Sequence, residues 1–127
     1  MNNFWAFTTV LVGTALLSTP SRAQDQAEGR KLYASYCTSC HGDKGKGDGV
    51  AAKSLPAKPA DHTNGAFMNQ LSDPFLMDVI AKGGGGVGKS TFMPAWSGAL
   101  NEKQMRDLVA FIRSLSVPPY KSEGPTK

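Results

Sequence analysis

The feature that most constrains this chain is the pentapeptide Cys37-Thr38-Ser39-Cys40-His41, which holds both cysteines and one of the two histidines. The spacing C-x-x-C-H is the attachment signature of haem c. Two thiols separated by two residues on a helical turn match the separation of the two haem vinyl groups, to which they add as thioethers. The adjacent histidine then points its imidazole at the iron. The motif predicts one covalent haem c, attached at Cys37 and Cys40, with His41 as an axial iron ligand.

The first 23 residues have the pattern of a secretory signal peptide. Residues 4–17 form an apolar run of fourteen, which is shorter than the roughly 20 residues needed to span a bilayer. Pro20 and then Ser21-Arg22-Ala23 follow, with small residues at the two positions that a signal peptidase reads. We expect cleavage after Ala23 and a periplasmic protein. An uncleaved N-terminal anchor is the alternative.

Three other uses of the cysteine pair fit the sequence less well than haem. A disulfide between Cys37 and Cys40 would suit an exported protein. A thioredoxin-like redox pair requires a strand–helix–strand context, and the chain shows no strand-like alternation of any length. A zinc site would need a second pair of ligands, which His62 alone does not supply. Haem c is favoured because its attachment takes place outside the cytoplasm, in agreement with an export signal.

Length and charge limit the exported part to one small domain. Removal of 23 of the 127 residues leaves 104, and the net charge falls from +4 to +3 because only Arg22 is lost among the charged residues. Such a chain is too short for a doubly wound nucleotide-binding fold or an α/β barrel. The positive excess is too small to indicate a nucleic acid partner. We expect a domain over residues 24–117 and a loose tail over residues 118–127.

Capping residues and apolar periodicity predict four helices, with Asp73 as the cap of the third and with Asn101 and Gln104 as a capping box at the start of the fourth. They cover residues 26–37, 65–71, 74–82 and 102–115. The last one has apolar residues on more than one narrow stripe and is expected to make two buried contacts. The connections 42–63 and 83–100 exceed the roughly 12–15 residues usual for structureless loops. The chain therefore needs something besides its own side chains to wrap around.

Three segments carry a family resemblance across residues 26–116. They are the opening set Gly29, Tyr33, Cys37, Cys40, His41 and Gly42, the loop Phe92-Met93-Pro94-Ala95-Trp96, and the helical run 107–112. In this order and spacing they resemble a small monohaem class I c-type cytochrome of the bacterial periplasm. The resemblance implies an all-α fold of about four short helices, with long loops wrapped around the haem. It also implies that the first and last helices cross at Gly29, packed against Leu108 and Phe111.

Met93 is the predicted second axial ligand. It lies in a loop that follows a helix and can cross the far haem face, and Pro94 stiffens the backbone beside it. Four other residues could bind iron, and they are Met68, Met77, Met105 and His62. We interpret the three methionines as core filler and the histidine, next to Asp61 in a polar loop, as solvated or bonded locally.

Two further contacts to the haem group are expected. The second ring nitrogen of His41 needs a partner that fixes its orientation, and the family pattern uses a backbone carbonyl at a proline. Pro56 and Pro59 both qualify, because the sequence LPAKPAD departs from the simplest family pattern. The indole N–H of Trp96 is a candidate donor to a haem propionate.

The segment from Gly83 to Ser90 matches the phosphate-binding pattern G-x-x-x-x-G-K-[ST] letter for letter. That pattern works only with a strand before it and a helix starting at the Lys-Ser pair. A predicted helix precedes it here, and Phe92-Met93-Pro94 follows. We therefore expect no nucleotide binding, and we expect the glycines to let the backbone turn tightly before Met93.

The predicted function is electron transfer by a protein that is not itself an enzyme. The expected partners are redox proteins, which could dock on lysines in the loops around the haem, namely Lys44, Lys46, Lys53, Lys58 and Lys89. Two alternatives remain open. The chain could be a detachable cytochrome subunit of a dehydrogenase or reductase complex, or a haem enzyme or sensor with an open sixth iron position.

Overall fold

The computed structural model describes residues 24–121, so the predicted signal peptide lies outside the described residues. Within that range the chain is all-α, as predicted, and contains no strand. The helices are α1 (Gln26–Tyr36), α2 (Thr38–His41), α3 (Gly65–Met68), α4 (Asp73–Lys82) and α5 (Glu102–Leu115). Two single 3₁₀ turns, Ala52–Ser54 and Gly85–Val87, lie in the long connections. The short α2 and the 3₁₀ turns were not predicted, because each is too short to show periodicity.

The predicted cap of α5 is confirmed, whereas that of α4 is wrong by one residue. Asn101 and Gln104 form a reciprocal capping box, each side chain accepting from the other's backbone N–H at 2.9 Å. At α4 the hydroxyl of Ser72 accepts from the N–H of Phe75. Asp73 is therefore the first helical residue rather than the cap, and its carboxylate is free to pair elsewhere.

The crossing of α1 and α5 is confirmed, and it depends on Gly29. A Cβ at Gly29 would lie 2.0 Å from the carbonyl oxygen of Asp107 and 3.0 Å from Cβ of Phe111. The backbone of α5 therefore rests directly on α1, with Asp107 rather than Leu108 nearest to the glycine. The rings of Tyr33 and Phe111 meet edge to face beside this contact, with centroids 5.2 Å apart.

The buried carboxylate of Asp107 ties the start of α1 to α5. Its side chain is 1% exposed. One oxygen accepts from the backbone N–H of Asp25 at 2.9 Å, and the other pairs with Lys103 at 2.7 Å. Asp25 in turn caps α1 by accepting from Ala27 and Glu28. Each buried oxygen of Asp107 thus has a partner, which a carboxylate removed from water requires.

Arg113 of α5 joins the turn between α3 and α4 to the end of the chain. Its guanidinium donates to Asp73 at 2.8 Å and to the carbonyl of Met68 at 2.7 Å. The ring of Tyr120 lies 3.8 Å from the guanidinium carbon. Because Asn69 also donates to the carbonyl of Pro118, residues 118–120 make defined contacts, in contrast to the loose tail expected there. Residues 122–127 lie outside the described range.

A membrane-spanning helix would need to be longer and more apolar than any helix between residues 24 and 121.

Because α5 lies so close to Gly29, replacement of this glycine by alanine should destabilise the protein, whereas alanine usually stabilises a helix. In a helix interior, alanine normally stabilises by up to about 1 kcal/mol relative to glycine. Gly29→Ala must instead push α5 away, and we expect it to lower the free energy of unfolding of the haem-loaded protein by about 1–3 kcal/mol. Gly98→Ala is the control, since a Cβ there meets nothing within 4 Å. Denaturant unfolding of both variants measures the difference, and equal stabilities would contradict the packing described.

Candidate functional site

A cleft of about 730 Å³ opens beside α2. Its volume lies within the range of about 300–1,000 Å³ that is usual for ligand and cofactor sites. Much of its wall is apolar and comes from α3 and α4, including Met68, Leu76 and Ile80. All six residues predicted to contact a cofactor line this cleft, and they are Cys37, Cys40, His41, Pro59, Met93 and Trp96.

Helix α2 is one turn that presents the two thiols and the imidazole to the cleft. The N–H groups of Cys40 and His41 both donate to the carbonyl of Cys37, at 3.2 and 2.8 Å. Gly42 ends the turn with φ of +81°, a conformation that favours glycine. A single turn thus brings Cys37 and Cys40 to one side, which is the arrangement that two thioether bonds require.

The protonation of Cys37 argues against a redox dithiol. Burial raises the pKa of its thiol to about 12, and the neighbouring Cys40 adds to the effect. Reactive cysteines in redox motifs have a lowered pKa, because the thiolate is the nucleophile. The Cys37 thiol is protonated at neutral pH, so the local environment does not favour disulfide exchange.

The imidazole of His41 is held in the form that binds a metal ion. Its Nδ1 lies 3.0 Å from the carbonyl oxygen of Ala60. Since a carbonyl can only accept, Nδ1 carries the proton and donates. Burial lowers the pKa of His41, outweighing the opposite effect of the Ala60 bond. The ring is therefore neutral at pH 7, with the lone pair of Nε2 available to a metal.

The prediction that a proline carbonyl orients His41 is wrong, because Ala60 supplies the acceptor. The carbonyl of Pro59 faces the backbone of Gly47 instead, where a Cβ would lie only 2.3 Å away. The next carbonyl along the chain is therefore the one that reaches the ring. Pro59 still lines the cleft, as does Pro94, whereas Pro56 does not.

His62 is buried, contrary to the expectation of a solvated loop residue. It is 8% exposed, and its ring stacks on that of His41 with centroids 4.3 Å apart and planes at 17°. Its Nδ1 shares a hydrogen bond of 2.9 Å with the hydroxyl of Tyr33. Burial lowers the pKa of His62 to about 3, so the ring is neutral. The adjacent Asp61 misled the sequence interpretation, since its carboxylate turns away to accept from Thr63.

The segment around Met93 is fixed through its backbone. The N–H of Gly84 donates to the carbonyl of Met93 at 3.0 Å, and the N–H of Trp96 donates to the carbonyl of Ile80 at 2.9 Å. A Cβ at Gly84 would lie 2.1 Å from the carbonyl oxygen of Ser90. The glycine run after α4 therefore packs directly against the Met93 segment.

This glycine run lacks the geometry of a phosphate-binding loop. Helix α4, not a strand, precedes Gly83, and a 3₁₀ turn lies inside the run. No helix begins at Lys89 or Ser90, which are exposed. The amide of Gly84 donates to the carbonyl of Met93, and the amides of Val87, Gly88 and Lys89 donate to carbonyls within the run itself.

Two residues that line the cleft were not expected there from the sequence. Tyr36 lines the cleft and packs edge to face on Trp96, with ring centroids 5.1 Å apart. Met68 lines it from α3. The position of Tyr36 directly before Cys37 is the signal that could have placed it in the site. Nothing in the sequence separates Met68 from an ordinary core methionine.

The family model described as cytochrome c oxidase, cbb3-type, subunit III matches residues 24–112. The chain belongs to this family of c-type cytochrome domains. The FixP subunit of the cbb3-type cytochrome c oxidase of Bradyrhizobium diazoefficiens is 30% identical over 103 residues, which are 80% of this chain and 31% of FixP. This cytochrome therefore spans about a third of the length of that relative.

Two further comparisons cover larger shares of the matched chains. Cytochrome c6 of a Synechococcus species is 34% identical over 104 residues, which are 82% of each chain. A chain of a reducing HAO-like protein complex of Kuenenia stuttgartiensis superimposes with a TM-score of 0.62 at 30% identity, over 79% of this cytochrome and 50% of that chain. The all-α fold is thus that of c-type cytochromes, domains that carry covalent haem c and transfer electrons.

The residues that line the cleft fit a covalently bound haem c. The cleft supplies two thiols on one turn, a neutral imidazole with a free Nε2 and an apolar wall. Haem is largely apolar with a central metal ion, and this is the combination that would hold it. The long connections foreseen from the sequence wrap around the cleft rather than around a core of their own.

We expect the haem-free polypeptide to lack a stable fold. At about 24 cal/mol per Å³, a closed void of this volume would cost roughly 17 kcal/mol, more than the roughly 5–15 kcal/mol that stabilises most proteins. Water entering the open cleft reduces that cost but leaves apolar walls wet. Polypeptide made in the cytoplasm without haem should show a weak helical circular dichroism signal and no cooperative thermal transition. The exported holo-protein, as the control, should show a sharp thermal transition. A sharp transition in the haem-free chain would contradict this.

Proposed function

We propose that this cytochrome is a periplasmic electron carrier, with haem c attached to Cys37 and Cys40 and with His41 and Met93 as axial ligands. The observation that carries the proposal is the convergence of these four side chains on one apolar cleft. The bound group would supply a single iron that cycles between Fe(III) and Fe(II). With both axial positions filled by protein, the iron has little room for a substrate, which supports a carrier over an enzyme.

Met93 is preferred over the other candidate iron ligands because of its position at the cleft. Met77 and Met105 belong to the hydrophobic core and do not line the cleft. Met68 lines it but is 2% exposed and packed within the same core. His62 stacks on His41 and so lies on the same side of the cleft as the proposed first ligand. Met93 is half-buried at the cleft, on a loop that the glycine run fixes.

Replacement of Met93 tests this assignment. A thioether ligand raises the reduction potential, so Met93→Ala should lower the potential and abolish the sulfur-to-ferric charge-transfer band. The iron should also become accessible to CO and cyanide, while both thioether bonds persist. Visible spectra and redox titration of the purified holo-protein measure these changes.

Two methionine variants serve as controls for that experiment. Met77→Leu and Met68→Leu should keep the band, because they alter packing only, at a cost usually under about 1.5 kcal/mol. Loss of the band in Met68→Leu with its retention in Met93→Ala would assign the sulfur to Met68. Ready CO binding by the reduced wild-type protein would instead favour a haem enzyme or sensor.

The proposed partners are redox proteins with an acidic docking surface. All five predicted lysines are exposed, and none forms an ion pair with an acidic residue among residues 24–121. Only Lys58 and Lys89 border the cleft, so the basic surface is narrower than the sequence suggested. Haem propionates would offset part of the net charge, which leaves these two lysines as local positive sites.

Electron transfer with an acidic partner should therefore slow as ionic strength rises. Removing a charge at the cleft, as in Lys58→Gln or Lys89→Gln, should lower the rate at low salt and flatten the salt dependence. Lys31→Gln is the matched control, since Lys31 lies on α1 and is already paired with Glu28. Stopped-flow rates across a salt series give the result. A flat or rising salt dependence in the wild-type protein would exclude the lysine surface.

Two of the comparisons support a second role, as a cytochrome subunit of a larger redox complex. FixP is named as a subunit of a cbb3-type oxidase, and the matched structure is part of an HAO-like protein complex. Isolation of the exported protein at endogenous levels separates the two roles. Co-purification with a large partner at fixed stoichiometry would favour the subunit, and recovery as a free small haem protein would favour the carrier.

A further inference from the structure

Beneath the imidazole of His41 lies a second aromatic layer that the proposed function does not use. His62 stacks on His41 at 4.3 Å between centroids and 17° between planes. Tyr33 of α1 holds His62 through the 2.9 Å hydrogen bond to Nδ1 and meets its ring edge to face, with centroids 5.8 Å apart. Three side chains from separate parts of the chain thus form one contiguous array that ends at the proximal imidazole.

The hydrogen bond from His41 to Ala60 does not by itself fix the plane of the imidazole ring. A hydrogen bond at Nδ1 fixes the direction in which that nitrogen points. Tilting of the ring about the line from Nδ1 to the carbonyl oxygen keeps that bond intact. A flat ring packed nearly parallel against one face opposes such tilting, because any change of plane brings the two rings into collision. The stacked His62 is placed to supply this restraint.

His62 can restrain its neighbour because it is itself fixed at several points. Its backbone N–H donates to the carbonyl of Gly45 at 2.7 Å, and its ring bonds Tyr33. Gly45 has φ of +74°, and a Cβ there would lie 3.3 Å from both Cβ of His62 and the hydroxyl of Tyr33. Tyr33 is in turn 1% exposed beside Phe111. The array is thereby anchored to the crossing of α1 and α5.

We propose that His62 and Tyr33 are positioning residues that set the plane of the His41 imidazole relative to the haem. The proposal rests on His41 being an iron ligand, as the proposed function states, and it goes beyond that function by assigning the electronic tuning of the site to two other residues. The orientation of an axial imidazole plane determines how unpaired spin is distributed over the haem in the ferric state. Partners behind a metal ligand act in this way by orienting it.

The test compares three variants of the exported holo-protein by proton NMR of the ferric form. His62→Leu removes the flat stacking partner and should change the order and spread of the haem-methyl resonances. His62→Phe keeps a flat ring without Nδ1 and should restore most of the wild-type pattern. Tyr33→Phe keeps the packing but releases His62, and should produce a smaller change in the same direction as His62→Leu.

Stability and a remote control separate positioning from packing. Tyr120→Phe alters a half-buried tyrosine stacked on Arg113, away from the cleft, and should leave the haem-methyl pattern unchanged. Thermal melts of all variants record any loss of packing. A lower melting temperature in His62→Leu with a wild-type methyl pattern would overturn the proposal. If His62→Leu does not accumulate, an unchanged pattern in Tyr33→Phe overturns it instead.

Failure of this inference differs from failure of the proposed function. If His41 and Met93 do not bind iron, the wild-type protein itself lacks the low-spin ferric spectrum and the sulfur charge-transfer band. If they bind iron but the array does not orient His41, the wild-type spectra are intact and the variants reproduce them.

Discussion

The apolar cleft beside α2 is the constraint on which the rest of this structure depends. In a domain with two four-residue helices and two long connections, the hydrophobic core stays open on the side of the cleft, where Met68, Leu76 and Ile80 form part of the wall. A large, flat, apolar cofactor bound at two thiols solves that problem, because the loops can pack against it instead of against one another. The fold and the cofactor are therefore parts of one core, and neither is complete without the other.

The parts of the fold that the sequence predicts are those governed by local chemistry. The capping box at Asn101 and Gln104 and the amphipathic run after it define α5 to the residue, since both signals act within one or two turns. Contacts between residues that are distant in sequence could not be predicted from such local signals. Nothing near Asp107 in the sequence indicates that it is buried, yet its carboxylate is 1% exposed and accepts from the backbone N–H of Asp25 where α1 meets α5. Residues 118–120 were expected to be loose for the same reason, since Arg113 and Asn69, which hold them, lie elsewhere in the chain.

The candidate site shows the same division between local and distant information. Cys37, Cys40 and His41 could be expected to lie together at the cleft, because they are neighbours within one helical turn. The acceptor for His41 was misplaced by one residue, because the choice between adjacent carbonyls depends on how Pro59 packs on Gly47. His62 was misread because a polar neighbour suggested exposure, whereas a tyrosine 29 positions earlier draws it into the interior. Neither hydrophobic periodicity nor the spacing of motif residues indicates that a tyrosine and a histidine so far apart in sequence will pair.

The Met93 segment is anchored through its main chain, so its position does not depend on the side chains that it exposes at the surface. Its position is set by main-chain hydrogen bonds from Gly84 and to Ile80, and by glycines that admit no side chain at the contact. The neighbouring Lys89, Ser90, Thr91 and Phe92 are exposed, and three of them, Lys89, Ser90 and Phe92, also border the cleft. Substitutions at these four positions can alter which protein is recognised while the main-chain hydrogen bonds that place Met93 are kept. A cytochrome built in this way can change partners during evolution without losing its redox centre.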